Sequence, residues 1–425
     1  MLQISVIKEH TARVLAGLAK RNYKTAEADV QAVLDLDQRR RALETTTTQA
    51  QAEANELARQ IGGLMKSGQR EEAEALKART AELKTLIKQH ADELAAVERQ
   101  QHEVLVKLPN IPHESVPAGR SAQDNEVVRE GGTKPTLGPA AQPHWELIKQ
   151  YDIIDFDLGV KITGAGFPVY KGQGARLQRG LINFFLDQAR DAGYYEVQPP
   201  VLVNEASGYG TGQLPDKEGQ MYHDAADNLY LIPTAEVPIT NLYRDEIIAT
   251  DKLPIKNAGY TPCFRREAGS WGADVRGLNR LHQFDKVEIV QLTQPEHSYA
   301  ALEQMQAHVE QLLQKLELPY RILRLCGGDM GFTSALTYDF EVWSAAQGRW
   351  LEVSSVSNFE TFQANRLKCR YRAEGGKTQL LHTLNGSALA LPRIVAALLE
   401  NNQSAEGIRL PAVLHSYCGF ASITV

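Results

Sequence analysis

The sequence predicts an α+β fold in which a mostly antiparallel β-sheet domain follows an N-terminal antiparallel α-helical coiled-coil arm. Three observations carry this expectation. A nearly proline-free stretch rich in helix formers repeats its apolar residues in heptads. A Pro/Gly-rich break follows, and beyond it short β-branched runs appear without the regular strand and helix alternation of a doubly wound sheet. At 425 residues the chain exceeds one ordinary hydrophobic core, so two domains are expected.

The arm comes first. From about Gln31 to Leu108 the chain is dominated by Ala, Leu, Glu, Lys, Arg and Gln, all good helix formers. Leu36, Leu43, Ala50, Leu57 and Leu64 recur in heptads, with Ala54 and Ile61 at the complementary seam positions. Leu76, Leu83, Ile87, Leu94, Val97, Val104 and Leu108 carry the same signal in a second helix. Lys66-Ser67-Gly68-Gln69 supplies the turn, so the two helices pair as a hairpin that would project roughly 50 Å for arms of ~35 residues. Arg40, Thr47, His90 and Gln101 are weak seam positions. Acids match the basic residues in number along the arm, and on composition alone a structural or dimerising coiled coil is the simpler reading.

The break, L-P-N-I-P-H-E-S-V-P from Leu108 to Pro117 and a polar Gly/Pro-rich stretch after it, marks a boundary. An N-terminal domain at 1–108, a linker at 109–143 and a second domain at 144–425 are expected. Composition narrows the function classes only a little. Hydrophobic residues make up 43% and charged residues 23%, and no apolar run is long enough for a bilayer span. Met1 to Arg13 lacks the apolar core of a secretory signal, so a cytoplasmic location is expected. Cys263, Cys326, Cys369 and Cys418 form no C-x-x-C pair, so neither zinc nor a disulfide framework is expected. A net charge of -6 leaves a polyanionic partner undecided. Gly172 and Gly174 lack the third glycine of a dinucleotide fingerprint, and no phosphate-binding G-x-x-x-x-G-K-[ST] occurs.

The most informative segment is C-F-R-R-E-A-G-S-W-G-A-D-V-R-G-L-N-R-L-H-Q-F-D-K-V-E, from Cys263 to Glu288. It reads as strand, polar glycine loop, strand. Alternation places Arg280, His282, Phe284, Lys286 and Glu288 on one face of the second strand, and Arg265 and Glu267 together on the first. Guanidinium groups that hold phosphate and a ring that stacks on a base suit a nucleotide. A surface hairpin laced by salt bridges fits the same residues.

F-R-R-E-A-G and R-L-H-Q-F-D-K-V-E resemble motif 2 of the bacterial seryl-tRNA synthetases, a class II family. A-G-Y-Y-E-V-Q-P-P ending at Pro200 is similar to motif 1, and H-T-L-N-G-S-A-L-A-L-P-R to motif 3. G-T-G-Q-L-P, from Gly210 to Pro215, and L-I-P-T-A-E-V-P-I-T-N, from Leu231 to Asn241, resemble the serine-site segments, and L-E-V-S-S-V-S-N-F-E the ATP-binding strand. The resemblance implies a class II catalytic domain that activates L-serine with ATP and transfers it to tRNA(Ser), and to tRNA(Sec) as well, in a homodimer formed through motif 1. It implies that Arg265 binds the α-phosphate, Glu267 the adenine side and Arg280 the γ-phosphate. Phe284 and Arg393 would sandwich the base, and the backbone of Leu281 would touch the nucleotide. Glu352, Val353, Ser354 and Ser355 match the ATP segment, with Glu352 and Ser355 at the Mg²⁺ position. Thr234, Ala235, Glu236, Glu288 and Ser387 match the serine contacts.

Two departures stand out. Arg266, within the ATP-binding segment, replaces the usual serine and by parity points away from Arg265; Leu391-Pro392 replaces the usual valine-glycine before Arg393. Competing readings are a catalytically silent tRNA-binding paralogue, which should have lost Arg265 or Arg393, and a class II ligase for another amino acid or a carrier protein. The latter should lack the arm.

Overall fold

The computed structural model describes residues 1–216, 219–267 and 276–424, apart from the Glu374 side chain. The chain divides into two compact units, Met1–Ala19 with Tyr23–Pro109, and Lys20–Asn22 with Asn110–Val425.

In the first unit, helices α3 (Ala26–Lys66) and α4 (Arg70–Leu105) form the expected hairpin, turning at Ser67, Gly68 and Gln69. Ahead of them stand α1 (Ile4–Glu9) and α2 (Thr11–Lys20), which the sequence pattern did not reveal because six and ten residues are too few to display a heptad repeat. The buried seam consists of Val30, Val33, Leu43, Ala50 and Ala54 on α3 with Ala73, Leu83, Val97 and Leu105 on α4. Leu36, Leu57, Ile61 and Leu64 are only half-buried, since one partner helix cannot cover both flanks of a long side chain. The weak seam positions are satisfied by polar contacts. Arg40 pairs with Asp37 at 3.0 Å and Glu44 at 2.6 Å. Thr47 Oγ1 meets His90 Nδ1 at 3.3 Å, and Gln101 Nε2 donates to the Val33 carbonyl at 3.4 Å. Arg39–Glu93 and Arg79–Glu53 bridge the helices at the surface, where each pair contributes little.

The second unit is built on an eight-stranded sheet. Its strands are β1 (Glu126–Gly131), β2 (Tyr195–Glu196), β3 (Ile255–Phe264), β4 (Gln283–Thr293), β5 (Tyr320–Arg324), β6 (Leu336–Ser344), β7 (Arg349–Asn358) and β8 (His382–Ala390), in the order β1-β5-β6-β7-β8-β4-β3-β2. All neighbours are antiparallel except β2 and β3. Within 109–143, read from composition as a linker, Glu126–Gly131 is therefore an edge strand. Helices α5 (His144–Gln150), α6 (Gly172–Asp191), α7 (Glu236–Asn241), α8 (Ser298–Lys315), α9 (Thr361–Leu367) and α10 (Leu391–Asn401) surround the sheet. Phe184 and Phe185 of α6, Leu312 and Leu313 of α8 and Ile394 and Leu398 of α10 join Ile289, Phe340 and Val356 of the sheet in one core.

Two interruptions of the ladder decide where polar side chains point. Glu341 faces Glu352 while Phe340 faces Ser354, so Val353 is an extra residue in β7. Lys286 faces Ala390 while Glu288 faces Ser387, which places an extra residue in β8. Each bulge reverses the inside and outside parity of its strand. Among the described residues no helix is long and apolar enough to cross a membrane.

Leu83 is 2% exposed and packs with Ala50 and Ala54. Leu83→Ala is expected to destabilise the hairpin by about 2–5 kcal/mol. Amide hydrogen exchange on the intact chain should accelerate across α3 and α4 and stay unchanged in β3, β4 and β8.

Candidate active site

Strand β4 lies between β3 and β8, and its middle carries a fully buried carboxylate. Glu288 is 0% exposed; Lys286 pairs with it at 2.6 Å, Thr234 Oγ1 donates at 3.1 Å and Asn385 Nδ2 at 2.8 Å. Opposite stands Ser387 of β8, buried in the strand, so it does not cap the helix that follows. Thr234 and Ala235 immediately precede α7, and Glu236 is its first residue. The Thr234 hydroxyl accepts from the Glu236 backbone N–H at 3.2 Å, which locks the entry to the helix. Glu236 is buried, and burial together with the nearby Glu288 charge pushes its carboxyl up to about 7, against relief from Gln363, Lys286 and Arg265. Two carboxylates thus share a buried pocket, one compensated by an ammonium group and one that titrates near neutrality.

Arg265 connects this pocket to a second cluster. Strand β3 ends at Phe264, so Arg265 and Glu267 lie just beyond the strand rather than within it. Arg265 N–H still donates to the His282 carbonyl at 2.9 Å, and its guanidinium lies 5.2 Å from the centroid of the Phe284 ring. Glu267 adopts φ +48°, a reversal that brings its carboxylate to 2.7 Å from Arg280 Nη1. Arg266 is exposed and its backbone N–H donates to the Gln220 carbonyl at 2.9 Å. The residues Ala268 to Val275 between the two strands lie outside the described residues. Arg393 stands in the first turn of α10. Its Nε donates to the Asn279 carbonyl at 3.1 Å and its Nη1 to the Glu352 carbonyl at 2.8 Å. Burial lowers its pKa, opposed by Glu352 and reinforced by Arg280 and Arg265, so three arginines gather around one space. Pro392 sits among the first residues of the helix, where a missing N–H leaves no broken bond.

The bulge at Val353 brings Glu352 and Ser355 to the same side, with Ser355 Oγ 3.3 Å from Glu352 Oε1. Val353 and Ser354 are buried beneath them, Ser354 Oγ donating to the Ser387 carbonyl at 2.6 Å. Leu281 is buried beside Arg280. Asp339 of β6 faces Ser355 across the ladder, and its Oδ1 is buried with no hydrogen-bond partner among the described residues. Burial and then the Glu352 charge hold the Asp339 carboxyl well above the usual carboxylate range. A hard divalent cation would relieve that strain, and the donor set of carboxylate and hydroxyl oxygens fits one.

Residues 1–112 match a family model described as the seryl-tRNA synthetase N-terminal domain, and residues 220–402 one described as the tRNA synthetase class II core domain (G, H, P, S and T). The serine–tRNA ligase of Salinibacter ruber is 52% identical over 425 residues, covering 100% of this chain and 99% of the relative. This chain belongs to the seryl-tRNA synthetases. It is accordingly an enzyme of the ligase class. The serine–tRNA ligase of Prosthecochloris aestuarii is 47% identical over 427 residues, covering 100% of the chain and 99% of the relative. The seryl-tRNA synthetase from Pyrococcus horikoshii complexed with ATP has a similar structure, with a TM-score of 0.94 and 34% identity over 100% of this chain and 99% of that one.

Several groups in this synthetase's site escaped sequence reasoning. Gln363 Nε2 donates to Glu236 Oε1 at 2.6 Å and to the Thr211 carbonyl at 3.2 Å, while its Oε1 accepts from Thr383 at 2.7 Å. One turn along α9, Arg366 Nη1 holds the carbonyls of Tyr209 and Leu214, its guanidinium ringed by Tyr209, Phe332 and Phe362. Helix α9 thereby fixes the segment from Tyr209 to Leu214, the end of the helix Glu205–Thr211 and the turn after it, and orients Glu236. The available signal was a pair of polar residues three apart, Gln363 and Arg366, beginning three positions after the last residue of N-F-E, on one side of a short helix.

The raised Glu236 carboxyl has a consequence for stability. Between its ordinary value near 4.5 and about 7 the folded chain holds a proton that the unfolded chain has lost. Stability therefore falls as pH rises through that window, and the full penalty is present above it. Glu236→Gln removes the penalty, so its melting temperature should exceed that of the wild type by more at pH 8 than at pH 5. Equal offsets at both pH values would contradict the raised carboxyl.

Proposed function

We propose that this chain activates L-serine with ATP to form seryl-adenylate and pyrophosphate, and transfers the seryl group to the 3′-terminal adenosine of tRNA(Ser) and, on family resemblance, of tRNA(Sec). The observation that carries the proposal is the continuity of the two clusters through Arg265: a buried, acid-lined pocket on one side and three arginines with an aromatic ring on the other.

In this reading the serine ammonium lies between Glu236 and Glu288, and its hydroxyl meets Thr234, Glu288 and Ser387. Alanine would leave these buried polar groups unpaired, and threonine would be excluded by the space its methyl needs. Arg265 holds the α-phosphate where a carboxylate oxygen of serine can attack. Phosphorus gains that oxygen and loses pyrophosphate, whose charge Arg280 meets, while Glu267, Phe284, Arg393 and the Leu281 backbone hold the adenosine. Arg265 releases Phe284 and Arg280 releases Glu267 as the nucleotide enters. Glu352 and Ser355 would hold Mg²⁺, which supplies charge neutralisation on the phosphate oxygens when bound. Positioning and fixed charge suffice, since the attacking carboxylate needs no general base. In the second step the 3′-hydroxyl attacks the seryl carbonyl carbon and AMP leaves.

The arm is assigned to tRNA. Its ion-paired surface favours recognition by shape and backbone contacts over attraction to a polyanion. A homodimer through motif 1 is supported by exposed apolar side chains, Tyr195 at 73% within the motif and Leu202 at 44% two residues after it.

Amino-acid-dependent ATP–pyrophosphate exchange should respond to serine and not to threonine, alanine or glycine; no response to serine sinks the proposal. Arg265→Ala is expected to abolish exchange and keep tRNA affinity. Deleting Gln31 to Leu105 should do the reverse, sparing exchange and removing charging of tRNA. Retained charging would refute the role given to the arm.

A further inference from the structure

Helix α10 grips the end of the motif 2 loop from both of its ends. In its first turn Arg393 Nε donates to the Asn279 carbonyl at 3.1 Å. In its last turn Glu400, 0% exposed, accepts from His144 Nδ1 at 2.7 Å, from the His144 backbone N–H at 3.0 Å and from Gln347 Nε2 at 3.0 Å, and also from the Ser344 hydroxyl. His144, also 0% exposed, accepts at Nε2 from the Leu278 backbone N–H at 2.9 Å. A carboxylate on one ring nitrogen and an N–H on the other fix a single tautomer, with the proton on Nδ1. Gln347 supplies a parallel tie, its Oε1 accepting from Asn279 Nδ2 at 3.1 Å. The turn is shaped for this approach: Gly277 has φ +60°, and a Cβ there would lie 2.3 Å from His144 Nε2.

We propose that His144, oriented by Glu400, is a positioning residue for the nucleotide half of the site. It fixes the turn Gly277–Asn279, and thereby the Asn279 carbonyl that Arg393 grips and the starting point of Arg280 and Leu281. A buried hydrogen-bonded pair that only stabilised the core would have no reason to spend its second ring nitrogen on a backbone N–H two residues from Arg280. The inference rests on the assignment of Arg280, Leu281 and Arg393 to ATP.

Two substitutions separate the ends of the imidazole. In His144→Asn the amide N–H can replace Nδ1–H toward Glu400, but nothing reaches Leu278. In His144→Gln the amide oxygen can replace Nε2 and accept from Leu278, while Glu400 loses a donor. In serine-dependent pyrophosphate exchange His144→Asn should raise KM for ATP about tenfold and leave KM for serine within about twofold of wild type. His144→Gln should melt lower, yet keep KM for ATP closer to wild type. Gln347→Met, which cuts the parallel tie and leaves His144 in place, should raise KM for ATP about threefold and serves if His144→Asn does not fold. An unchanged KM for ATP in His144→Asn or Gln347→Met, or an equal rise for both substrates, overturns the inference alone. Absence of serine-dependent exchange in the wild-type chain overturns the assignment beneath it.

Discussion

The pairing of β4 with β8 is the constraint on which the rest of the site depends. It sets Glu288 opposite Ser387 and leaves Lys286 beside Glu288 at 2.6 Å. A slip of one residue would turn Glu288 and Lys286 toward the apolar core and bring Val287 into the pocket. Because both neighbours of β4 are central strands, the backbone has no freedom to make that slip. The polar pocket is thus held by the same ladder that holds the core.

Around that ladder the molecule distributes charge unevenly. Glu288 is compensated by Lys286, Thr234 and Asn385, whereas Glu236 has a neutral amide, Gln363, as its donor. Asp339 repeats the pattern at the opposite end of the site, with one oxygen lacking a partner among the described residues. Buried polar groups are normally satisfied, so deficits of this kind mark places where an incoming positive group would be stabilised. On the anion-binding side the logic is inverted. Burial first, and then the charges of Arg280 and Arg265, lower the pKa of Arg393, and an incoming anion would offset both.

The helical hairpin and the antiparallel sheet were legible in the sequence because heptads and strand alternation are local patterns. Alternation also grouped Arg265, Arg280, Phe284, Lys286 and Glu288, whereas Thr234, Glu236, Ser387, Glu352 and Arg393 were named only by the resemblance to the seryl-tRNA synthetases. What stayed hidden depended on register or on contacts between distant segments. Alternation alone puts Glu352 and Ser355 on opposite faces, and only the extra residue Val353 reconciles them. Asp339 became visible only once β6 was laid against β7. His144 and Glu400, 256 residues apart, carried no periodic signal at all. The turn at Glu267 was likewise missed, since a positive φ at a non-glycine residue leaves no mark in the pattern. The α1 and α2 helices were too short to register.

The seam of the arm is narrow, and its small side chains, Ala50, Ala54 and Ala73, are among the few that are fully covered. Heat capacity of unfolding follows the apolar area released, so the hairpin should release little per residue compared with the sheet unit and its continuous core of phenylalanine, leucine and isoleucine. A small heat-capacity change makes a flat stability curve. The arm's folding free energy should therefore vary gently with temperature while that of the catalytic unit is sharply domed, so the ratio of the two stabilities shifts on warming or cooling even though no contact changes.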